Sequence, residues 1–257
     1  MNSQAKWFER LPGARDEALR LFCFPYAGGS AQVFRNWQRH FSPTVALSLA
    51  HLPGRAARIG EPAMKVVKPL VHALADAITP QMPQTYAFWG HSMGALISFE
   101  LARELRRRGQ RGPVALFVSG RRAPQLPGSH GTTFNLPEQD FIAELRRLNG
   151  TPNELLDLPE LKNLFLPTIR ADFELVETHV YEPEAPLTCP IYAYGGLQDE
   201  TVPEGNVRAW QEQTSRAFKM RMFPGDHFFI HTAADLVHVL RRDVFEYLPK
   251  HAGSRHG

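Results

Sequence analysis

Cysteine is scarce in this sequence, and long apolar runs and a strong excess of one charge are missing. Cys23 and Cys189 are the two cysteines among 257 residues. Both sit in apolar surroundings and form no C-x-x-C pair, which excludes a disulfide framework and suits a reducing cytosol. No stretch approaches the ~20 apolar residues that a membrane span needs. Residues 1–8 lack the apolar segment of a signal peptide, so a cytoplasmic protein with no membrane partner is expected. Lys and Arg number 29 against 26 Asp and Glu, for a net charge of +3. No aromatic-basic motif accompanies that charge, which argues against nucleic acid. Neither G-x-x-x-x-G-K-[ST] nor G-x-G-x-x-G occurs, so nucleotide-binding loops are not indicated. No repeat or coiled-coil seam is visible, and a monomer without a bound metal is expected.

What is present fits a folded domain. Hydrophobic residues make up 43% and charged residues 21% of the chain, near the average for globular proteins. A chain of this length buries roughly 70–75% of its unfolded surface and needs no staple. Strand-like segments at 19–24, 44–49, 85–89, 114–118, 191–194 and 218–223 alternate with helical spacing at 31–41, 66–78, 93–108, 207–214 and 233–247. Such alternation implies βαβ units and an α/β class, with a mostly parallel central sheet and helices on both faces. It breaks between about 124 and 183. Three helix-like segments, 138–148, 154–165 and 168–180, occupy that stretch without a strand. The expectation is a core of residues 1–123 and 184–257 with a helical lid insertion at 124–183. Arg170 and Asp172 are candidates to order the insertion by charge pairing, or lie on a solvated helix face. The polar tail 251–257 is expected to fray.

Chemistry concentrates at Gly90-His91-Ser92-Met93-Gly94. This G-x-S-x-G follows a strand and opens a helix, the context of a nucleophile elbow. Side chains at positions 90 and 94 would collide with neighbouring backbone, so glycine fits both. A serine nucleophile needs a base, and the base needs an orienting acid. In this strand–turn–helix context the acid and then the histidine follow the serine in the chain. His227 stands in the Pro/Gly loop Phe223-Pro224-Gly225-Asp226-His227-Phe228, directly after a strand. His238 lies within the last helical segment and His231 near its start, which makes both weaker candidates. Asp199 follows the strand at 191–194 and is the expected acid, with Glu200 as the fallback and Asp226 a turn residue. The oxyanion hole is expected from the backbone N–H of Met93 and of Ala27, the latter in Phe24-Pro25-Tyr26-Ala27-Gly28-Gly29-Ser30. Tyr26, Gly28 and Phe228, on the same loops, are the candidate substrate contacts. The runs Arg106-Arg107-Arg108 with Arg111, and Arg121-Arg122, read as solvated helix ends or as a docking surface for an acidic partner.

Taken with Leu52-Pro53-Gly54-Arg55, Ser119-Gly120-Arg121, Leu166-Pro167-Thr168-Ile169-Arg170-Ala171-Asp172-Phe173 and Tyr194-Gly195-Gly196, these motifs resemble a known family over nearly the whole chain. It is the type II thioesterases of polyketide and nonribosomal peptide biosynthesis, within the α/β-hydrolases. The resemblance implies an α/β-hydrolase fold with a mobile lid. It implies hydrolysis of acyl thioesters from the phosphopantetheine arm of acyl carrier or peptidyl carrier domains, as an editing activity. It implies no cofactor beyond the arm that the partner carries. A medium-chain acyl-carrier or acyl-CoA thioesterase, a general esterase, an acyltransferase and an inactive carrier-binding protein are the alternatives.

Overall fold

Central strands that carry apolar side chains towards both sides build a sheet buried on both faces. The computed structural model describes residues 7–14, 17–41, 43–128, 132–151 and 153–248. The described strands are β1 (Phe8–Arg10), β2 (Leu19–Phe24), β3 (Val45–Ala50), β4 (Tyr86–His91), β5 (Leu116–Ser119), β6 (Ile191–Gly196) and β7 (Phe218–Phe223). They lie in the order β1-β3-β2-β4-β5-β6-β7. β1 runs antiparallel to β3, and all other neighbours are parallel. Helices α1 (Gln38–Phe41), α2 (Val67–Ile78), α3 (Met93–Arg107), α4 (Glu138–Leu148), α5 (Asn153–Asp157), α6 (Pro159–Glu177), α7 (Glu204–Arg208), α8 (Phe229–Thr232) and α9 (Leu236–Phe245) complete it.

Successive strand residues point to opposite faces. Phe22, Phe88, Leu116 and Ile191 meet Leu74 of α2, Leu96 and Phe99 of α3, and Trp210 on one side. Leu21, Trp89, Phe117 and Tyr192 meet Phe34, Trp37, Leu236 and Leu240 on the other. Each such side chain contributes roughly 1.5–3 kcal/mol when removed from water. The strand–helix alternation expected from the sequence is therefore the one observed. Three-residue β1 goes beyond it: a segment that short carries no readable period. The tail at 251–257 lies outside the described residues.

Between β5 and β6 the chain forms α4, α5 and α6. Their apolar residues Phe141, Leu145, Leu156, Leu166 and Ile169 make a small separate core. Helix α4 falls where the sequence places it. The expected separation of segments 154–165 and 168–180 does not occur, and α6 runs through Pro167. The break lies instead before Pro159, at the first turn of α6, where proline's missing N–H leaves no helical bond unmade. Pro167 is tolerated because its flanks are anchored. Leu166 and Ile169 are buried, and Thr168 Oγ1 donates to Gly54 O at 2.7 Å.

Candidate active site

Ser92 joins β4 to α3 in a turn with no room to spare. Its φ of 52° and ψ of −111° lie where L-residues are strained, at a cost of order 1–3 kcal/mol. The strain is held by backbone contact. A Cβ at position 90 would stand 2.1 Å from Gly94 O, and one at position 94 would stand 2.0 Å from Phe24 O. The Ser92 N–H donates to Ser119 O at 2.7 Å, tying the turn to β5. Because β4 and β5 are parallel with His91 opposite Ser119, both turns emerge at one end of the sheet.

The loops after β6 and β7 bring the partners to that end. His227 Nε2 lies 3.0 Å from Ser92 Oγ, and His227 Nδ1 lies 2.7 Å from Asp199 Oδ2. Asp199 Oδ1 accepts from Thr201 N at 2.9 Å, Thr201 Oγ1 at 2.7 Å and Val202 N at 3.1 Å. Burial pushes the Asp199 carboxyl up. The hydrogen bond and charge of His227, with the Thr201 donors, outweigh burial and hold it below the usual range. An ionised Asp199 fixes the tautomer: Nδ1–H donates to the carboxylate, and bare Nε2 accepts from the serine hydroxyl. Thr201 was not singled out in the sequence, although its place two residues after an acid is an Asx-turn signal.

The remaining histidines and acids have other work. Asp226 Oδ1 accepts the Phe228 N–H at 2.8 Å, closing the His227 turn. Glu200 is exposed. His238 packs edge-on against His40. His231 Nε2 sits 2.9 Å from the Tyr26 hydroxyl. His91 is fully buried, with Nδ1 2.9 Å from Ser119 Oγ. Burial first, then His227, hold it well below the usual histidine range, so it is neutral. Among the described residues no three His, Cys, Asp or Glu side chains are grouped as a metal site requires.

Ser92 and His227 open into a cavity of about 1200 Å³, which includes space open to solvent. Tyr26, Ala27 and Phe228 line it from the sheet side, and Leu145, Leu148, Ile169, Phe173 and Val176 from α4 and α6. Gly150, just past α4, touches the Phe228 ring so closely that a Cβ there would stand 2.1 Å from it.

A family model described as a thioesterase domain matches residues 19–243. The chain belongs to the thioesterase family. "Gramicidin S biosynthesis protein GrsT" of Aneurinibacillus migulanus is 44% identical over 88% of this chain and 88% of its own. "Thioesterase PikA5" of Streptomyces venezuelae is 37% identical over 94% of this chain and 85% of its own. Among solved structures, YbtT, a type II thioesterase from the yersiniabactin NRPS/PKS pathway, superposes with a TM-score of 0.83 at 31% identity, covering 95% and 98% of the two chains.

Three features of this thioesterase depart from the sequence reading. Gly28 does not line the cavity. Its N–H donates to Asp172 Oδ2 at 2.8 Å, so its amide is committed to α6 rather than open to substrate. Asp172 in turn takes a two-pronged contact from Arg55, at 2.6 and 2.7 Å, with both residues buried. Of the two residues considered for charge pairing, Asp172 pairs. Arg170 instead donates to the Leu136 carbonyl at 2.8 Å and stacks 4.2 Å from the Phe141 ring. The run at 106–108 is engaged by acidic residues of the chain itself. Arg106 and Arg107 pair with Glu184 at 2.7 and 2.8 Å, and Arg108 with Glu104 at 2.7 Å and Asp76 at 2.5 Å.

Proposed function

We propose that Ser92, His227 and Asp199 form the catalytic triad of a stand-alone type II thioesterase. It clears acyl groups from the phosphopantetheine arms of carrier domains in polyketide or nonribosomal peptide biosynthesis. The relay Ser92 Oγ–His227–Asp199, at 3.0 and 2.7 Å in a chain of this family, is the observation that carries it. The first step forms the Ser92 Oγ–acyl bond while His227 Nε2 takes the hydroxyl proton. The tetrahedral oxygen is received by the N–H groups of Ala27 and Met93. Met93 begins α3, so its N–H has no carbonyl a turn earlier. The carbon–sulfur bond then breaks, and the proton returns from His227 to the arm's thiolate. In the second step His227 takes a proton from water, the resulting hydroxide attacks the acyl ester, and the acid leaves as Ser92 regains its proton. Asp199 keeps the imidazole oriented and balances the imidazolium.

On this reading residues 124–183 are the lid, and α4 and α6 wall the acyl chain against Tyr26 and Phe228. The arm comes with the partner, and the enzyme brings no cofactor. It works as a cytoplasmic monomer that meets its carrier in trans. The test compares hydrolysis of one short acyl group on a holo-carrier protein, on coenzyme A and on a simple oxyester. A large kcat/KM advantage for the carrier is expected. Equal or better rates on coenzyme A or the oxyester would move the assignment to a general thioesterase or esterase.

A further inference from the structure

Of the three arginines that line the cavity, two stand unengaged. Arg121 and Arg122 line it just beyond β5. The other charged walls are engaged: Arg147 pairs with Glu144 at 2.6 Å, and Glu177 accepts the amides of Thr133 and Phe134 at 2.7 and 3.0 Å. Among the described residues neither Arg121 nor Arg122 has an ion-pair or side-chain hydrogen-bond partner. Their backbone is fixed, because Arg121 O accepts Trp210 Nε1–H at 2.8 Å. Desolvation first, and then the neighbouring Arg122, bring Arg121 down to about 9. It stays charged at neutral pH. Two adjacent, partly buried guanidiniums without a counter-charge are destabilising unless an anion joins them.

We propose that Arg121 and Arg122 bind the phosphodiester of the pantetheine arm. This deepens the thioesterase reading and rests on it. The phosphodiester is the anion every such substrate carries, whatever its acyl group, and the planar guanidinium fork matches phosphate oxygens in pairs. The scale agrees. The phosphodiester lies roughly 15 Å along the arm from the thioester sulfur, the span of four to five extended residues. The Ser92 N–H donates to Ser119 O at 2.7 Å. Arg121 and Arg122 follow Ser119 by two and three residues, at most ~11 Å of chain, so the pair stands within the arm's length of Ser92. The acyl chain is left to the apolar walls on α4 and α6.

The test uses the purified chain with one short acyl group on phosphopantetheine and the same group on pantetheine, which lacks the phosphate. The readout is the ratio of kcat/KM between the two. A charge-assisted pair predicts a ratio of about tenfold or more, falling as salt rises. The ratio drops towards one in Arg121→Gln/Arg122→Gln and is intermediate in Arg122→Lys, which keeps charge but not the fork. A wild-type ratio of one overturns the proposal, and needs no variant to fold. So does a ratio that survives in the double variant. So does a loss confined to a carboxylate-bearing acyl group, which would make the pair an acyl subsite. Hydrolysis of both substrates at equal rates sinks the phosphate site and leaves the thioesterase reading standing. Hydrolysis of neither, with the holo-carrier thioester left intact as well, removes both.

Discussion

The turn that carries Ser92 is fixed by backbone against backbone, whereas α4 to α6 are attached by side chains that reach across more than a hundred residues. At the turn, Gly90 and Gly94 stand so close to carbonyls that a methyl group has no place. In the helical segment, Asp172 reaches Arg55 and the Gly28 amide, and Thr168 reaches Gly54. The first region is held by close backbone contacts with β2 and β5, and strain there is tied to chemistry. The second is a set of long-range polar contacts over a small core of its own. Perturbing the first is therefore expected to cost turnover, and perturbing the second to cost stability before turnover.

The largest effects belong to the first region. Ser92→Ala and His227→Ala are expected to abolish thioester hydrolysis while leaving thermal unfolding near wild type. Asp199→Asn should lower kcat by a factor on the order of 10⁴, by analogy with serine proteases. Near-normal steady-state rates in any of the three would take that residue out of the triad. Gly94→Ala comes next. Its Cβ can be housed only by moving the turn, and a misplacement of ~1 Å costs about 10²-fold in rate. A Gly94→Ala enzyme with wild-type kcat would mean that the turn is less constrained than its contacts imply.

The second region is tested by Asp172→Asn. Removing the charge leaves Arg55 buried and unpaired, at a cost of about 3–5 kcal/mol in denaturant unfolding. Arg55→Met/Asp172→Leu should regain much of it, because an apolar pair strands no charge. A single variant as stable as wild type would show that the pair does not anchor α6. The smallest effect is at Glu184. Burial pushes its carboxyl up, but Arg106, Arg107 and Arg103 outweigh burial and bring it down to about 2. A lowered carboxylate stabilises the fold above its unfolded value near 4.5, and that stability is lost as pH falls towards 2. Glu184→Gln should thus flatten the acid side of the stability profile between those values. An unchanged profile would place the acid sensitivity elsewhere.

The same contrast explains what could be read from the sequence. The strands alternate cleanly between two buried faces, so their order of appearance was legible, and so was the turn at Ser92. Ser92, Asp199 and His227 each follow a strand end, a place that local spacing marks. Arg55 and Asp172 are 117 residues apart, and no local period joins them. Gly28 reads from its loop as a substrate contact, whereas the acceptor of its amide lies on α6, 144 residues away. Segments 154–165 and 168–180 read as separate helices, and they join as α6 because tertiary contacts hold both flanks of Pro167. Arg121 and Arg122 read as surface charge, and their place in the cavity follows from how β5 ends beside Ser92.

The central claim is that Ser92 carries the acyl group. The most direct measurement combines labelling by a fluorophosphonate, peptide mass spectrometry of the labelled site, and the residual rate on an acyl-phosphopantetheine thioester. The label should map to the peptide holding Ser92, thioester hydrolysis should fall in step with labelling, and Ser92→Ala should neither label nor turn over. Hydrolysis that persists after Ser92 is fully modified, or in Ser92→Ala, would contradict it.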